Sequence, residues 1–245
     1  MIEDGRLILD NFRYLDMKLA ALFSGGKDST FAISCVKEMG HHVVCFVTMF
    51  PMTDDSPLFH YPNSWITRYL ANAMEIPLIA SHVRGRSRND ETKALENAIV
   101  RAKSLFGIEG MVHGGISSNF QRKAFEGVCF RQSIAVVAPL WNSEPETYII
   151  KLVKSGFHII IVSVSAMGLD KEWLGRELTE NASARLLPLS KKYGFNLTFE
   201  GGEAETLVID CPLYCKKLQI NSAHIQWDGQ RGIFEIQDVE LVEKK

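Results

Sequence analysis

An α/β fold, a mainly parallel sheet followed by a smaller α+β unit, is what this sequence predicts. Three observations predict it. From residue 18 to about 165, apolar runs of strand length alternate with segments of helical period. Most of those runs are continuous, as in strands covered on both faces. Beyond about 165 the rhythm changes to short helices and alternating strands with Gly and Asp turns.

The elements follow in order. Residues 1–17 read as an N-terminal extension. Strands are expected at 18–23, 42–49, 77–82, 110–113, 134–138 and 157–164, and helices at 28–39, 62–74, 90–106, 117–131 and 144–155. In the first helix Ala32, Cys35, Val36 and Met39 recur at helical spacing, and Gly40 stands where a C′ glycine belongs. In the third, Leu95, Ala98, Ile99, Ala102 and Leu105 form an apolar stripe. Residues 50–61, rich in Pro and Asp, read as a long loop over the C-terminal strand ends, where such sheets bind ligands. Pro188 is expected to split 179–193 into two short helices. Strands follow near 195–199, 205–210, 217–221 and 230–237, with Asp228-Gly229 as a hairpin turn.

Composition narrows the function classes. At 245 residues, 46% hydrophobic and 23% charged, the chain can hold one large domain or a domain with an appendage. A net charge of −2 gives no general attraction to nucleic acid. Arg84, Arg86 and Arg88 make a local basic cluster in a Gly/Ser/Asn stretch that reads as a solvated loop. No apolar run approaches the roughly 20 residues of a membrane span, and no signal-peptide pattern opens the chain, so a cytoplasmic protein off the membrane is expected. The five cysteines are scattered, and Cys211 with Cys215 is the one close pair, which argues against a structural zinc site.

Three polar clusters stand at expected strand ends. The first, Ser24-Gly25-Gly26-Lys27-Asp28-Ser29, opens the first helix. Glycines let backbone N–H groups converge, and a helix start adds partial positive charge. Lys27 adds a full charge and the serines add hydroxyls, so a phosphate is the ligand class expected. An ordinary turn capped by Asp28 or Ser29 is the alternative for the tetrapeptide alone. The loop is too short for G-x-x-x-x-G-K-[ST] and lacks G-x-G-x-x-G. The second cluster runs from Gly114 and Gly115 through Ser117, Ser118, Gln121 and Arg122 to Glu126. It repeats a glycine–serine helix opening, and a plain N-cap by Ser117 or Ser118 reads equally well from spacing. The third, Glu200 to Thr206, sets three carboxylates within six residues, either a solvated loop or a cation site.

SGGKDS between a strand and a helix resembles the PP-loop of the ATP pyrophosphatases, which split ATP between the α- and β-phosphates. Four further motifs extend the likeness: GISSNFQR from Gly115, APLW at Ala138–Trp141, MGLD with WLGR between Met167 and Arg176, and GGEAETLVIDCP at Gly201–Pro212. Together they make residues 18 to about 215 resemble the diphthine–ammonia ligase family. The chain departs from that pattern at Ala124-Phe125, where the family usually carries an arginine before the glutamate of this helix, and at Ala204, where it usually carries an aromatic residue.

The resemblance implies a Rossmann-like sheet of the adenine nucleotide alpha hydrolase type. Residues 18–165 would be the ATP-binding domain and 166–245 the substrate-side domain. It implies amidation of diphthine, a modified histidine on translation elongation factor 2, through an acyl-adenylate, giving diphthamide, AMP and pyrophosphate. Free ammonium is the expected nitrogen donor, since no glutaminase segment is evident. Ser24, Gly25, Gly26, Lys27, Asp28, Ser29, Thr48, Gly114 and Gly115 would hold ATP, with Thr48 just past the second strand and Asp28 also on Mg2+. Lys27, Asp28 and Arg122 would be catalytic. Gln121, Glu126, Trp141, Glu203, Glu205 and Thr206 would face substrate, with Trp141 and the carboxylates taking its trimethylammonium group. A homodimer is compatible with this reading. The competing readings are a tRNA-modifying thiolase or lysidine-type synthetase, and a nucleotide sensor without turnover. Against the first stand the absence of a basic face and of a C-x-x-C pair.

Overall fold

The computed structural model describes residues 16–51, 63–85 and 87–244. Its elements in chain order are β1 (Lys18–Leu22), α1 (Lys27–Glu38), β2 (His42–Phe50), α2 (Thr67–Ala73), β3 (Leu78–His82), α3 (Arg88–Phe106), β4 (Gly110–Val112) and α4 (Asn119–Arg131). They continue with β5 (Ala135–Val137), α5 (Pro145–Lys154), β6 (His158–Val164), α6 (Glu180–Tyr193), β7 (Ala204–Asp210), β8 (Lys216–Trp227) and β9 (Gly232–Glu243). Most of the expected N-terminal extension and of the 50–61 loop lies outside the described residues. The chain divides into two compact units. Among the described residues the first holds 16–24, 28–51, 76–85 and 87–141, and the second 25–27, 63–75 and 142–244.

The first unit is a five-stranded parallel sheet in the order β3-β2-β1-β4-β5. Its central strands are apolar along their length because both faces are covered. Cys45, Val47 and Met49 pack with Leu95, Ala98, Ile99 and Ala102 of α3 and Phe125, Val128 and Cys129 of α4. Leu105 and Met39, expected on apolar stripes, are exposed near the ends of their helices. Helix α3 starts two residues earlier than its apolar pattern predicts. Ser87 Oγ accepts from Asp90 N and the Asp90 carboxylate accepts from Ser87 N, a reciprocal box that supplies the first turn. A left-handed Gly107 closes the same helix.

The second unit is a four-stranded antiparallel sheet in the order β7-β6-β9-β8, with α2, α5 and α6. It corrects three expectations. Residues 157–164 do form a strand, but β6 pairs antiparallel with β7 and β9, so 142–165 belong to this unit and not to the parallel sheet. Burial on both faces was the only signal in that run, and it does not distinguish the two kinds of sheet. Pro188 lies inside one continuous α6. Thr179 caps its start, Gly194 its end, and Ala182 and Leu186 are buried, which outweighs the one hydrogen bond that proline removes. No strand forms at 195–199. The Asn196 side chain accepts from the Thr198 N–H and hydroxyl, and so turns the chain. The hairpin at Asp228-Gly229 is present, with strands longer than hydropathy suggests. Gln219–Glu240, Asn221–Asp238 and Gln226–Glu235 pair across it through polar side chains.

All five cysteines are free thiols, and burial pushes Cys45, Cys129 and Cys211 up to about 12. The four buried ones, Cys35, Cys45, Cys129 and Cys211, are packing residues, and Cys215 is exposed.

His113, one residue past β4, is buried, with its ring edge-on to Phe125 at 5.2 Å. Its Nδ1 accepts from Gly115 N at 3.1 Å, while Nε2 has no partner among the described residues. Burial, and secondarily the Arg122 charge, lower its pKa from 6.5 to about 4. The unfolded chain therefore binds a proton between these values that the folded chain refuses, so stability falls as pH drops from 6.5 towards 4. The expected loss is on the order of 3 kcal/mol. Urea midpoints across that window will show a steeper fall for the natural chain than for His113→Asn, which keeps an acceptor for Gly115 but cannot titrate. Parallel profiles would contradict a neutral His113.

Candidate active site

The order of the parallel sheet reverses between β1 and β4, and open α/β sheets take ligands beyond the carboxyl ends of strands at such a switch. The first polar cluster leaves β1 and the second leaves β4. In the first unit, the Ser24 and Ser29 hydroxyls lie 3.1 Å apart, and Ser24 N donates to Ser29 Oγ at 3.3 Å. A Cβ on Gly114 would stand 2.4 Å from the carbonyl carbon of Asp28 and 2.6 Å from Ser29 N. Only glycine lets the second cluster lie on the start of α1. Asp28 is half-buried there and Ser29 is buried.

The second cluster caps α4 through Ser118, whose Oγ accepts from Gln121 N. The Gln121 side chain makes no hydrogen bond among the described residues. Arg122 Nε donates to Glu126 at 2.6 Å, and its guanidinium stands 4.6 Å from the centre of the Trp141 ring. Arg122, expected to be catalytic, thus touches two residues expected to face substrate, and a face of Trp141 already carries a cation.

Thr48 corrects its expected place. It lies inside β2, which runs on to Phe50 because Thr48, Met49 and Phe50 pair with Ala80, Ser81 and His82. Its buried hydroxyl donates to the Phe23 carbonyl at 2.7 Å.

The middle of the first cluster packs in the second unit. Gly25 has φ +79°, and an added Cβ would stand 2.6 Å from Leu70 Cδ1. Its carbonyl accepts from Val208 N at 3.0 Å. Lys27 N donates to Thr206 Oγ1 at 3.2 Å, so Thr206 anchors this turn. The Lys27 side chain is 2% exposed, and Nζ donates to the Thr198 carbonyl at 2.6 Å, with the Phe199 ring 5.5 Å away. Thr198 leaves no signal in the sequence, since it acts through its carbonyl, and Asn196 and His113 stand outside the three polar clusters.

The carbonyl that meets Lys27 is held by the third cluster. Glu203 Oε1 accepts from Asn196 N at 3.0 Å and Oε2 from Gly201 N at 2.7 Å. Between them Phe199 takes φ +63°, an uncommon conformation for a bulky residue. Glu205 lies in β7 opposite Ser163, half-buried.

Two family models match the chain in tandem: the diphthamide synthase N-terminal domain over residues 17–136 and the diphthamide synthase C-terminal domain over 144–242. The chain is 35% identical over 226 residues to a diphthine–ammonia ligase of Mus musculus, covering 84% of each. It is 33% identical over 227 residues to that of Homo sapiens, covering 85% of each. The match to the Danio rerio ligase is 32% over 224 residues, 84% of this chain and 87% of that one.

Because Glu203 accepts two backbone N–H groups, Glu203→Gln sets an amide N–H against one of them. Unfolding free energy should drop by about 1–2 kcal/mol, and the Gly201 amide should lose hydrogen-exchange protection. Unchanged stability and protection would mean that the carboxylate does not hold the 196–203 loop.

Proposed function

The chain belongs to the diphthamide synthase family, and from that membership we propose that it is an ATP-dependent ligase amidating diphthine on translation elongation factor 2 with ammonium. The observation that carries the reading is the turn at Ser24–Ser29. It pairs a buried lysine with glycine backbone and serine hydroxyls at the end of β1, in a chain that both family domains match.

A carboxylate repels nucleophiles and has no leaving group better than oxide. Attack of a diphthine carboxylate oxygen on the α-phosphorus breaks the α–β bridging P–O bond, expels pyrophosphate and leaves an acyl-adenylate. Ammonia adds to the acyl carbon, AMP departs, and a proton passes to solvent. Gly25 and Gly26 amides, the Lys27 ammonium and the Ser29 hydroxyl meet the charge that grows on the departing pyrophosphate, where stabilisation lowers the barrier. The Thr198 carbonyl fixes where that ammonium stands.

Among the described residues no three His, Cys, Asp or Glu side chains cluster as a metal site. Asp28, half-buried at the start of α1, is the carboxylate that would meet Mg2+ carried by the triphosphate. Bound there, the ion would offset phosphate charge.

On the substrate side, Arg122 exchanges Glu126 and Trp141 for the incoming carboxylate, and Trp141 then offers its face to the trimethylammonium group. Gln121 supplies amide donors beside it. No helix among the described residues is long and apolar enough to cross a membrane, and the proposed substrate places the activity in the cytoplasm.

Incubation with ATP should give AMP and pyrophosphate only when diphthine-bearing elongation factor 2 and ammonium are both present. ADP as product would overturn the scheme. Lys27→Ala should lower turnover about a hundredfold or more; full activity in that variant would remove the turn from the mechanism.

A further inference from the structure

A groove of about 630 Å³ runs between α3 and α4, away from the residues assigned above to ATP. Four cations line it, Arg88, Lys93, Lys123 and Arg131, against a single carboxylate, Glu96. That carboxylate is committed. Arg131 Nη2 donates to it at 2.8 Å and Gln132 Nε2 at 2.7 Å, and these bonds hold its carboxyl below the usual range. Arg88, Lys93 and Lys123 form no ion pair with any carboxylate among the described residues. Two nearby acids have other first partners: Asp90 sits in the cap with Ser87 at 2.6 Å, where the Lys93 charge adds only a minor attraction, and Glu126 pairs with Arg122. The excess is local, in a chain whose net charge is −2.

The floor is shaped to admit a guest. Gly127 and Ala124 put no bulk into the groove, and a Cβ on Gly127 would find nothing nearer than Arg131 Nη1 at 3.7 Å. Gathering like charge around a hollow raises the free energy of the empty surface and makes an anion its complement.

We propose that this groove docks an acidic segment of the protein substrate, so that α4 presents Lys123 and Gly127 to the partner's chain and Gln121 and Arg122 to the reacting residue. The identity of the partner rests on the ligase reading. A polypeptide fits better than a nucleic acid, because single-stranded nucleic acid binding draws on open aromatic platforms for stacking. None of the residues that line the groove is aromatic.

The test uses Lys93→Glu/Lys123→Glu; both lysines are exposed, so the fold is not at stake. Affinity for diphthine-bearing elongation factor 2, measured by interferometry, should weaken about tenfold or more at low salt, and the gap should close as salt rises. In the AMP-release assay KM for the factor should rise by a similar factor, with KM for ATP and kcat unmoved. Equal affinity of both proteins for the factor would overturn the proposal. So would loss of binding to a single-stranded RNA probe with affinity for the factor intact. A wild-type chain that binds the factor through these lysines yet forms no AMP would support the groove and sink the ligase reading. AMP formed with equal KM by both proteins would do the reverse.

Discussion

Strand β7 holding the Gly25–Lys27 turn is the constraint on which the rest of the site depends. β7 is an edge strand of the antiparallel sheet, and an edge leaves unpaired backbone groups that must be covered. Here Val208 N is covered by the Gly25 carbonyl, and Thr206 of the same strand takes the Lys27 N–H. A left-handed glycine and a buried ammonium are both unstable on their own. The first carries a large backbone entropy cost, and the second has to be solvated by protein dipoles once water is gone. The Thr198 carbonyl, 2.6 Å from Nζ, is such a dipole. Asn196 and Glu203 keep it in place, so the glutamate-rich segment and the glycine-rich turn form one structure although some 170 residues separate them.

This explains which parts of the site could be read from the sequence. SGGKDS is legible as a candidate phosphate turn because backbone donors need glycine and a helix start, and both are visible in a string of letters. The role of Thr206 was not visible. A threonine in a β-strand pattern carries no mark that its hydroxyl accepts from a backbone amide far away in sequence. Glu203 misled for a related reason. Three carboxylates in six residues suggest a cation, yet two backbone N–H groups satisfy one of them just as well. His113 sits next to the Gly114-Gly115 pair and passed unremarked, because burial with one unpartnered nitrogen is a property of packing alone.

The fold shows the same division. Helix positions in the first unit followed from period and caps, with Ser87 and Asp90 accounting for the small shift in α3. The strand at β6 was legible and its sheet was not, since Ile159 to Val162 would be buried in either kind of sheet. β8 and β9 exceeded their hydrophobic stretches because glutamine, asparagine and carboxylate side chains bond across the hairpin. Hydropathy reads faces, and these pairs lie outside what it measures.

The contact between Arg122 and Trp141 has a further consequence for the chemistry. A guanidinium over an indole face and a trimethylammonium group make the same kind of demand, a cation against a π-cloud with little help from water. On the proposed reading, the internal guest keeps the ring in a geometry suited to the external one, so substrate binding would not have to create that face. In the proposed exchange, displacing Arg122 would also move a positive charge off the ring just as a second one arrives, which avoids like-charge repulsion. On that reading the displaced guanidinium, still tethered on α4 one turn before Glu126, would be available to a carboxylate, the group that becomes adenylated. A substrate carrying both a quaternary ammonium and a carboxylate satisfies both ends of this exchange, whereas one lacking either charge leaves Arg122 better off where it stands.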